Sequence, residues 1–268
     1  MKQITSLFTL GLMLLAGCDK SPSVAPVKDK AYELVWADEF DYSGLPKSTN
    51  WDYETGKVRN NEEQFYKAAS LENSRVENGL LHITATYDKN REEAIRSASV
   101  ITKGKVDFLY GRIEARVKMP SGKGAWPAVW TLGKNRETVG WPACGEIDIV
   151  EWLGHIPSYV FGSLHKGNDQ NKDVPMIGPY QVTTDVTAGF HNYAIEWEND
   201  AIRFFFDDVN YVTYTPAQMT GAEWQQFSRP HYLLLNLAMG GKSGGTIDYN
   251  SFPLVYQIDY VRYYKRTK

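Results

Sequence analysis

Gly111-Arg-Ile-Glu-Ala-Arg-Val-Lys-Met119 alternates apolar and charged residues without a break. A β-strand sends successive side chains to opposite faces. Ile113, Ala115, Val117 and Met119 therefore share a buried face, and Arg112, Glu114, Arg116 and Lys118 a wet one. Leu80-Leu-His-Ile-Thr-Ala-Thr86 repeats the period. Tyr193-Ala-Ile-Glu-Trp-Glu198 and Ile202-Arg-Phe-Phe-Phe206 flank Glu198-Asn-Asp-Ala201, which has hairpin-turn chemistry. Tyr232-Leu-Leu-Leu-Asn-Leu237 and Tyr256-Gln-Ile-Asp-Tyr-Val-Arg-Tyr-Tyr264 complete the set. One short helix is expected over residues 216–226, with Thr215 as its cap. Many strands at near-regular spacing and almost no helix predict an all-β sandwich of two antiparallel sheets. Nothing repeats internally, and no composition shift marks a second domain within the body of the chain.

The chain has 268 residues and a net charge of −3, a balance that argues against a nucleic-acid surface. Met1-Lys-Gln-Ile-Thr-Ser-Leu-Phe-Thr-Leu-Gly-Leu-Met-Leu-Leu-Ala-Gly-Cys18 has an early lysine, a short apolar run and a small-residue end. That is the pattern of an export signal, too short to span a bilayer as a helix. Leu15-Ala-Gly-Cys18 looks like a bacterial lipobox, implying cleavage before Cys18 and its acylation. The expected division is a lipoprotein signal over residues 1–18, a flexible tether over 19–30 and one folded domain over 31–268. The expected location is the bacterial cell envelope, held only by that lipid anchor. Cys18 leaves Cys144 alone in the folded domain, so no intramolecular disulfide is possible there. With no evident histidine partner, Cys144 reads as a buried structural thiol rather than a nucleophile.

Three carboxylates crowd Trp141-Pro-Ala-Cys-Gly-Glu146-Ile-Asp148-Ile-Val-Glu151-Trp-Leu-Gly154. Glu146 and Asp148 share one strand face, but unbroken alternation would send Glu151 to the apolar side, a poor place for a charge. A β-bulge near Ile149-Val150 would return Glu151 to the acidic face. Glu146 and Glu151 would then be about four strand steps apart, roughly 13 Å between Cα atoms. Leaning inward, their carboxyl groups could close to about 5–6 Å, the separation of a retaining glycosidase. Asp148 would lie between them and hold their pKa values apart. Alone, such a strand is equally a solvated face that discourages edge pairing or a calcium site.

Other groups are compatible with sugar binding and also with a plain structural role. Trp126 and Trp130 lie four residues apart beside a glycine turn, as two cleft rings or two core rings. Trp141 precedes a proline at the mouth of the acidic strand. Asn60-Asn61-Glu-Glu-Gln-Phe-Tyr66 offers amides to hydroxyl groups, or forms a structural turn. His165 could lie beside Glu151 or be an ordinary satisfied polar group. Asn236 interrupts an apolar strand and needs a partner, substrate or backbone.

Together these motifs resemble glycoside hydrolase family 16 and its laminarinase-like endo-β-1,3-glucanases, over roughly residues 34–264. Gly140-Trp-Pro-Ala-Cys-Gly-Glu-Ile-Asp-Ile-Val-Glu151 fits the family pattern Glu-x-Asp-x-x-Glu. Trp36-Ala-Asp-Glu-Phe40, Tyr110-Gly-Arg-Ile-Glu-Ala-Arg116, Trp126-Pro-Ala-Val-Trp130, Leu235-Asn-Leu-Ala-Met-Gly-Gly241 and Ile258-Asp-Tyr-Val-Arg262 fit as well. The resemblance implies a β-jelly-roll with a substrate cleft on its concave sheet. It implies Glu146 as nucleophile, Asp148 as electrostatic partner and Glu151 as general acid/base. It implies cleft-lining roles for Asn61, Trp126, Trp130, Trp141, His165 and Asn236. It also implies a structural calcium, held by the carbonyls of Glu39 and Gly79 and the side chain of Asp259, and no cofactor for catalysis.

The expected partner is a polysaccharide, and the expected state a monomer. The expected activity is retaining endo-hydrolysis of β-1,3-glucan. The alternatives are the same chemistry on mixed-linkage β-1,3-1,4-glucan or a marine galactan, and a surface glycan-binding protein without catalysis. There are two departures. Ser97-Ala-Ser99-Val stands where relatives often carry Ser-Ala-Arg, and Gly240-Gly-Lys-Ser-Gly-Gly245 lacks a tryptophan common after that glycine pair. Both bear on substrate choice more than on chemistry.

Overall fold

The computed structural model describes residues 31–267. The proposed signal, tether and Cys18 lie outside the described residues. Two sheets face each other. One has seven strands in the order Met176–Gln181, Tyr159–His165, Glu146–Trp152, Ala125–Gly133, His231–Met239, Ser99–Ile101 and Asp52–Tyr53, all antiparallel. The other has ten, built around Gly111–Lys118 paired with His191–Trp197 on one side and the long Leu254–Arg266 strand on the other. The antiparallel expectation has one exception, a two-residue parallel pairing of Phe65–Tyr66 with Ile95–Ser97.

The core lies between the sheets. Ile113, Ala115, Val117 and Met119 are at most 1% exposed, as their alternation requires. On the other face of that strand Arg112 pairs with Glu114 at 2.7 Å and Arg116 with Asp259 at 2.5 Å. Leu233, Leu235 and Leu237 point from the seven-stranded sheet into the same core. Each such side chain contributes about 1.5–3 kcal/mol by leaving water. The opposite face carries a small separate cluster including Leu132, Trp130, Tyr232 and Leu234, of which Trp130 and Leu132 line the cleft. The expected hairpin is closed by Glu198 N–H donating to the Ala201 carbonyl at 2.8 Å.

The helix expected over residues 216–226 is instead three short pieces, Pro216–Gln218, Gly221–Trp224 and Gln225–Phe227. Thr220 breaks the run by adopting an extended backbone. Its hydroxyl accepts from the Glu223 N–H, while the Glu223 carboxylate accepts from Thr220 N–H at 2.8 Å. Such a capping box starts a new helix rather than continuing an old one.

Candidate active site

The acidic strand contains the expected bulge. Asp148 pairs with Trp130 and Val150 with Val129 on one side. On the other side Asp148 pairs with Ser163 and Glu151 with Phe161, so Ile149 and Val150 together face Gly162. Both bulged residues are fully buried in the core, and Glu146, Asp148 and Glu151 all line the cleft. Glycines make room on both sides. Gly162 has no space for a Cβ, which would lie 2.4 Å from Phe204 and from the Tyr211 hydroxyl oxygen. Gly145 holds φ at +77° just before Glu146, with a Cβ position 2.8 Å from the Gln226 carbonyl.

The cleft is a cavity of about 360 Å³. Each outer carboxylate accepts an indole N–H at 2.8 Å: Glu146 from Trp141, and Glu151 from Trp126. Trp130 donates to the Asn236 amide oxygen at 2.6 Å, and the Asn236 amide donates to the Tyr66 hydroxyl at 2.9 Å. Trp126 and Trp130 thus share the cleft face. Trp141 is 44% exposed at its rim. The partners of Asn236 are neighbouring side chains, neither backbone nor an unmet amide awaiting substrate.

His165 lies beside Glu146 and Asp148 rather than beside Glu151, because antiparallel pairing sets it opposite Glu146. Its Nε2 is 3.4 Å from Asp148 Oδ2 and 4.0 Å from Glu146 Oε1, and its Nδ1 is 2.9 Å from Asp173. Burial works against charging the ring, but Asp148, then Glu146 and Asp173, outweigh it and push the pKa up to about 11. Glu146, Asp148 and His165 bring possible ligand atoms within 4.8 Å of one another, and the proton that Asp148 and Glu146 favour on His165 would compete with a metal for the ring.

Burial, then the charge of Asp148, raises Glu151 to about 8, against the pull of the Trp126 N–H and His165. The same two causes hold Glu146 above the ordinary carboxylate range, and here His165 and the Trp141 N–H draw it back towards the anion. Glu151 therefore keeps its proton to higher pH than an ordinary carboxylate, and the His165 ring lies beside Asp148 and Glu146. Cys144 is buried as expected. Burial and the nearby Glu146 push its thiol up to about 11, away from nucleophilic chemistry.

Asn61 is one residue off. It lines two shallower depressions next to the cleft, whereas Asn60 lines the cleft itself. Both residues have positive φ, 55° and 53°, and such a turn swings successive side chains apart. Glu62, Arg59 and Asp173 were not anticipated. Glu62 is 4% exposed, accepts from Asn60, Gln64 and Tyr66, and lines the cleft. The Asn-Asn-Glu-Glu-Gln stretch signalled that segment, but nothing local marks Asp173, whose role appears only where its loop returns to His165.

Asp259 belongs to the other sheet, and Glu39 and Gly79 lie at the ends of two of its strands. The long strand leaves its Leu80–Tyr87 neighbour at Ile258 and pairs with Tyr32–Asp38 from Val261 onward. Asp259 lies at that change of partner, with Glu39 just after one neighbour and Gly79 just before the other. Arg116 holds Asp259 Oδ2, leaving Oδ1 outside the pair, and the Glu39 carboxylate is taken by Arg262 at 2.7 and 2.9 Å. Two carbonyls and one carboxylate oxygen are hard donors of the kind calcium takes.

Comparison with known proteins agrees with this arrangement. Residues 50–262 match Glycosyl hydrolases family 16. The chain is 41% identical over 266 residues to a beta-glucanase of Rhodothermus marinus, covering 95% of this chain and 92% of that protein. The X-ray structure of the laminarinase from Rhodothermus marinus matches the fold with a TM-score of 0.82 at 39% identity, over 88% of this chain and 98% of that one. A variant of LamA from Z. galactanivorans, in complex with laminaritriose and laminaritetraose, gives a TM-score of 0.75 at 36% identity, over 87% and 98%. With sequence and fold agreeing over more than four-fifths of its length, the chain belongs to glycoside hydrolase family 16.

Proposed function

We propose that this chain is a retaining endo-hydrolase of β-1,3-glucan, with Glu146 as nucleophile, Glu151 as general acid/base and Asp148 as the charge between them. The observation that carries the reading is the bulge, which brings Glu151 onto the face of Glu146 and Asp148. In the first step a Glu146 oxygen attacks the anomeric carbon and the glycosidic C–O bond breaks. The Glu151 proton passes to the departing oxygen. In the second step the Glu151 carboxylate takes a proton from water, whose oxygen attacks the same carbon and releases Glu146. Two inversions leave the configuration unchanged.

Burial and Asp148 raise Glu151 and so favour the protonated form that a general acid needs. They raise Glu146 as well, and the His165 cation and the Trp141 N–H act against that rise. The laminarinase and beta-glucanase relatives support the polymer. A panel of polysaccharides with product sizing tests the reading: laminarin should yield short laminari-oligosaccharides, with retained configuration by NMR. Glu146→Ala and Glu151→Ala should each abolish turnover in a folded protein. Near wild-type activity from either variant rejects the assignment.

Two further elements belong to the proposal. A calcium ion held by Glu39, Gly79 and Asp259 would brace the place within the ten-stranded sheet where the long strand changes partner, on the sheet that does not carry the cleft. Cys18 would carry the lipid that holds the enzyme at the cell envelope. Failure of labelled palmitate to enter the wild-type chain in bacteria, or equal labelling of Cys18→Ala, would refute the anchor.

A further inference from the structure

A guanidinium lies over one of the cleft tryptophans. The Arg59 Cζ is 4.8 Å from the Trp130 ring centroid, and Arg59 lines the cleft with Asn60 and Glu62. Its Nη2 is ion-paired with Glu54 Oε2, and the Ser99 hydroxyl donates to the same oxygen at 2.7 Å. Glu54 is itself pinned by its N–H to the Ser99 carbonyl at 3.1 Å. The remaining arm is different: Nη1 is buried and has no hydrogen-bond partner among the described residues. Buried N–H donors are nearly always satisfied, and an arginine fork is rigid enough to present one arm while the other is anchored.

The strand order says which part of a substrate this arm meets. Ser99 lies three strands from the acids, about 14 Å at about 4.8 Å per strand. Arg59 reaches from that anchor back over Trp130, so it faces a sugar next to the one being cleaved, not the reacting carbon.

Resting on the glucan-hydrolase reading, we infer that Arg59 is a substrate-binding residue whose Nη1 donates to hydroxyl oxygens of a glucosyl unit bound beside Trp130. Ser99 stands where the family resemblance leads one to expect arginine, and Arg59 uses the carboxylate that Ser99 touches.

The test is steady-state kinetics of the full chain on laminarin and laminaritetraose. Arg59→Ala should raise KM about tenfold or more, the scale of one lost hydrogen bond from a charged group, with a smaller change in kcat. Arg59→Lys keeps a cation for Glu54 but has no second nitrogen, so it should fold normally and still show raised KM. Ser99→Arg in the Arg59→Ala background should recover much of the loss, because position 99 reaches the same Glu54 oxygen. Unchanged KM in Arg59→Ala and Arg59→Lys, with unchanged melting, overturns the inference. So does a loss confined to kcat. Wild-type protein that leaves laminarin intact would instead overturn the glucanase reading, and this inference with it.

Discussion

Trp126→Phe removes one hydrogen bond from the general acid while keeping an aromatic ring in the cleft. The Trp126 indole donates to Glu151 Oε1 at 2.8 Å and favours the carboxylate, against burial and Asp148, which raise the group to about 8. Without the indole N–H the carboxylate loses support, so the pKa of Glu151 rises. A hydrogen bond to a charged group contributes about 1.5–3 kcal/mol, and about 1.4 kcal/mol corresponds to one pH unit. Glu151 is only partly buried, so the lower end applies and the expected displacement is about one unit. Glu151 must carry its proton when the reaction begins. The alkaline limb of kcat/KM, expected near pH 8 in the wild type, should therefore move upward by about one unit. The assay is release of reducing ends from a laminari-oligosaccharide below KM, across the pH range of stable folding. A limb that stays in place or moves down refutes the assignment of Glu151. Asp148→Asn supplies the opposite sign: removing the charge that raises Glu151 should move its limb down.

Three further perturbations test other parts of the structure. Asn236→Ala leaves the Trp130 N–H and the Tyr66 hydroxyl without their buried partner; stability should fall by about 2–3 kcal/mol and Tm by about 5–10 °C, and an unchanged melt would contradict the network. Asp173→Asn removes a carboxylate that keeps His165 charged, so the His165 titration followed by NMR should move down from about 11; no movement would show that Asp173 does not act on the ring. EDTA should lower Tm and added calcium restore it if the Asp259 junction holds the ion, and the effect should vanish in Asp259→Ala.

Periodicity alone carried much of the architecture. The alternation at Ile113, Ala115 and Val117 marks a strand with one buried face, and those residues are buried. The bulge was legible for a sharper reason: a carboxylate at Glu151 conflicts with apolar neighbours unless one extra residue intervenes, so a local conflict announced a local irregularity. Positions in turns were not legible. Whether Asn60 or Asn61 faces the cleft depends on left-handed backbone at both residues, which no periodicity encodes. The break at Thr220 was missed because Pro216 to Gln226 has helix-like composition, and one capping residue outweighs it.

By itself the sequence determined the two-sheet architecture, the acidic strand and the shared face of its carboxylates, because strand geometry is local and repeats every two residues. The tertiary structure alone decided their environment. Register set His165 opposite Glu146, the Asp173 loop returned to the imidazole, and Arg59 folded over Trp130 from the far edge of the sheet. These contacts join residues far apart in the chain through strand pairing and loop return. Their proton affinities and free donors therefore follow from packing rather than from spacing.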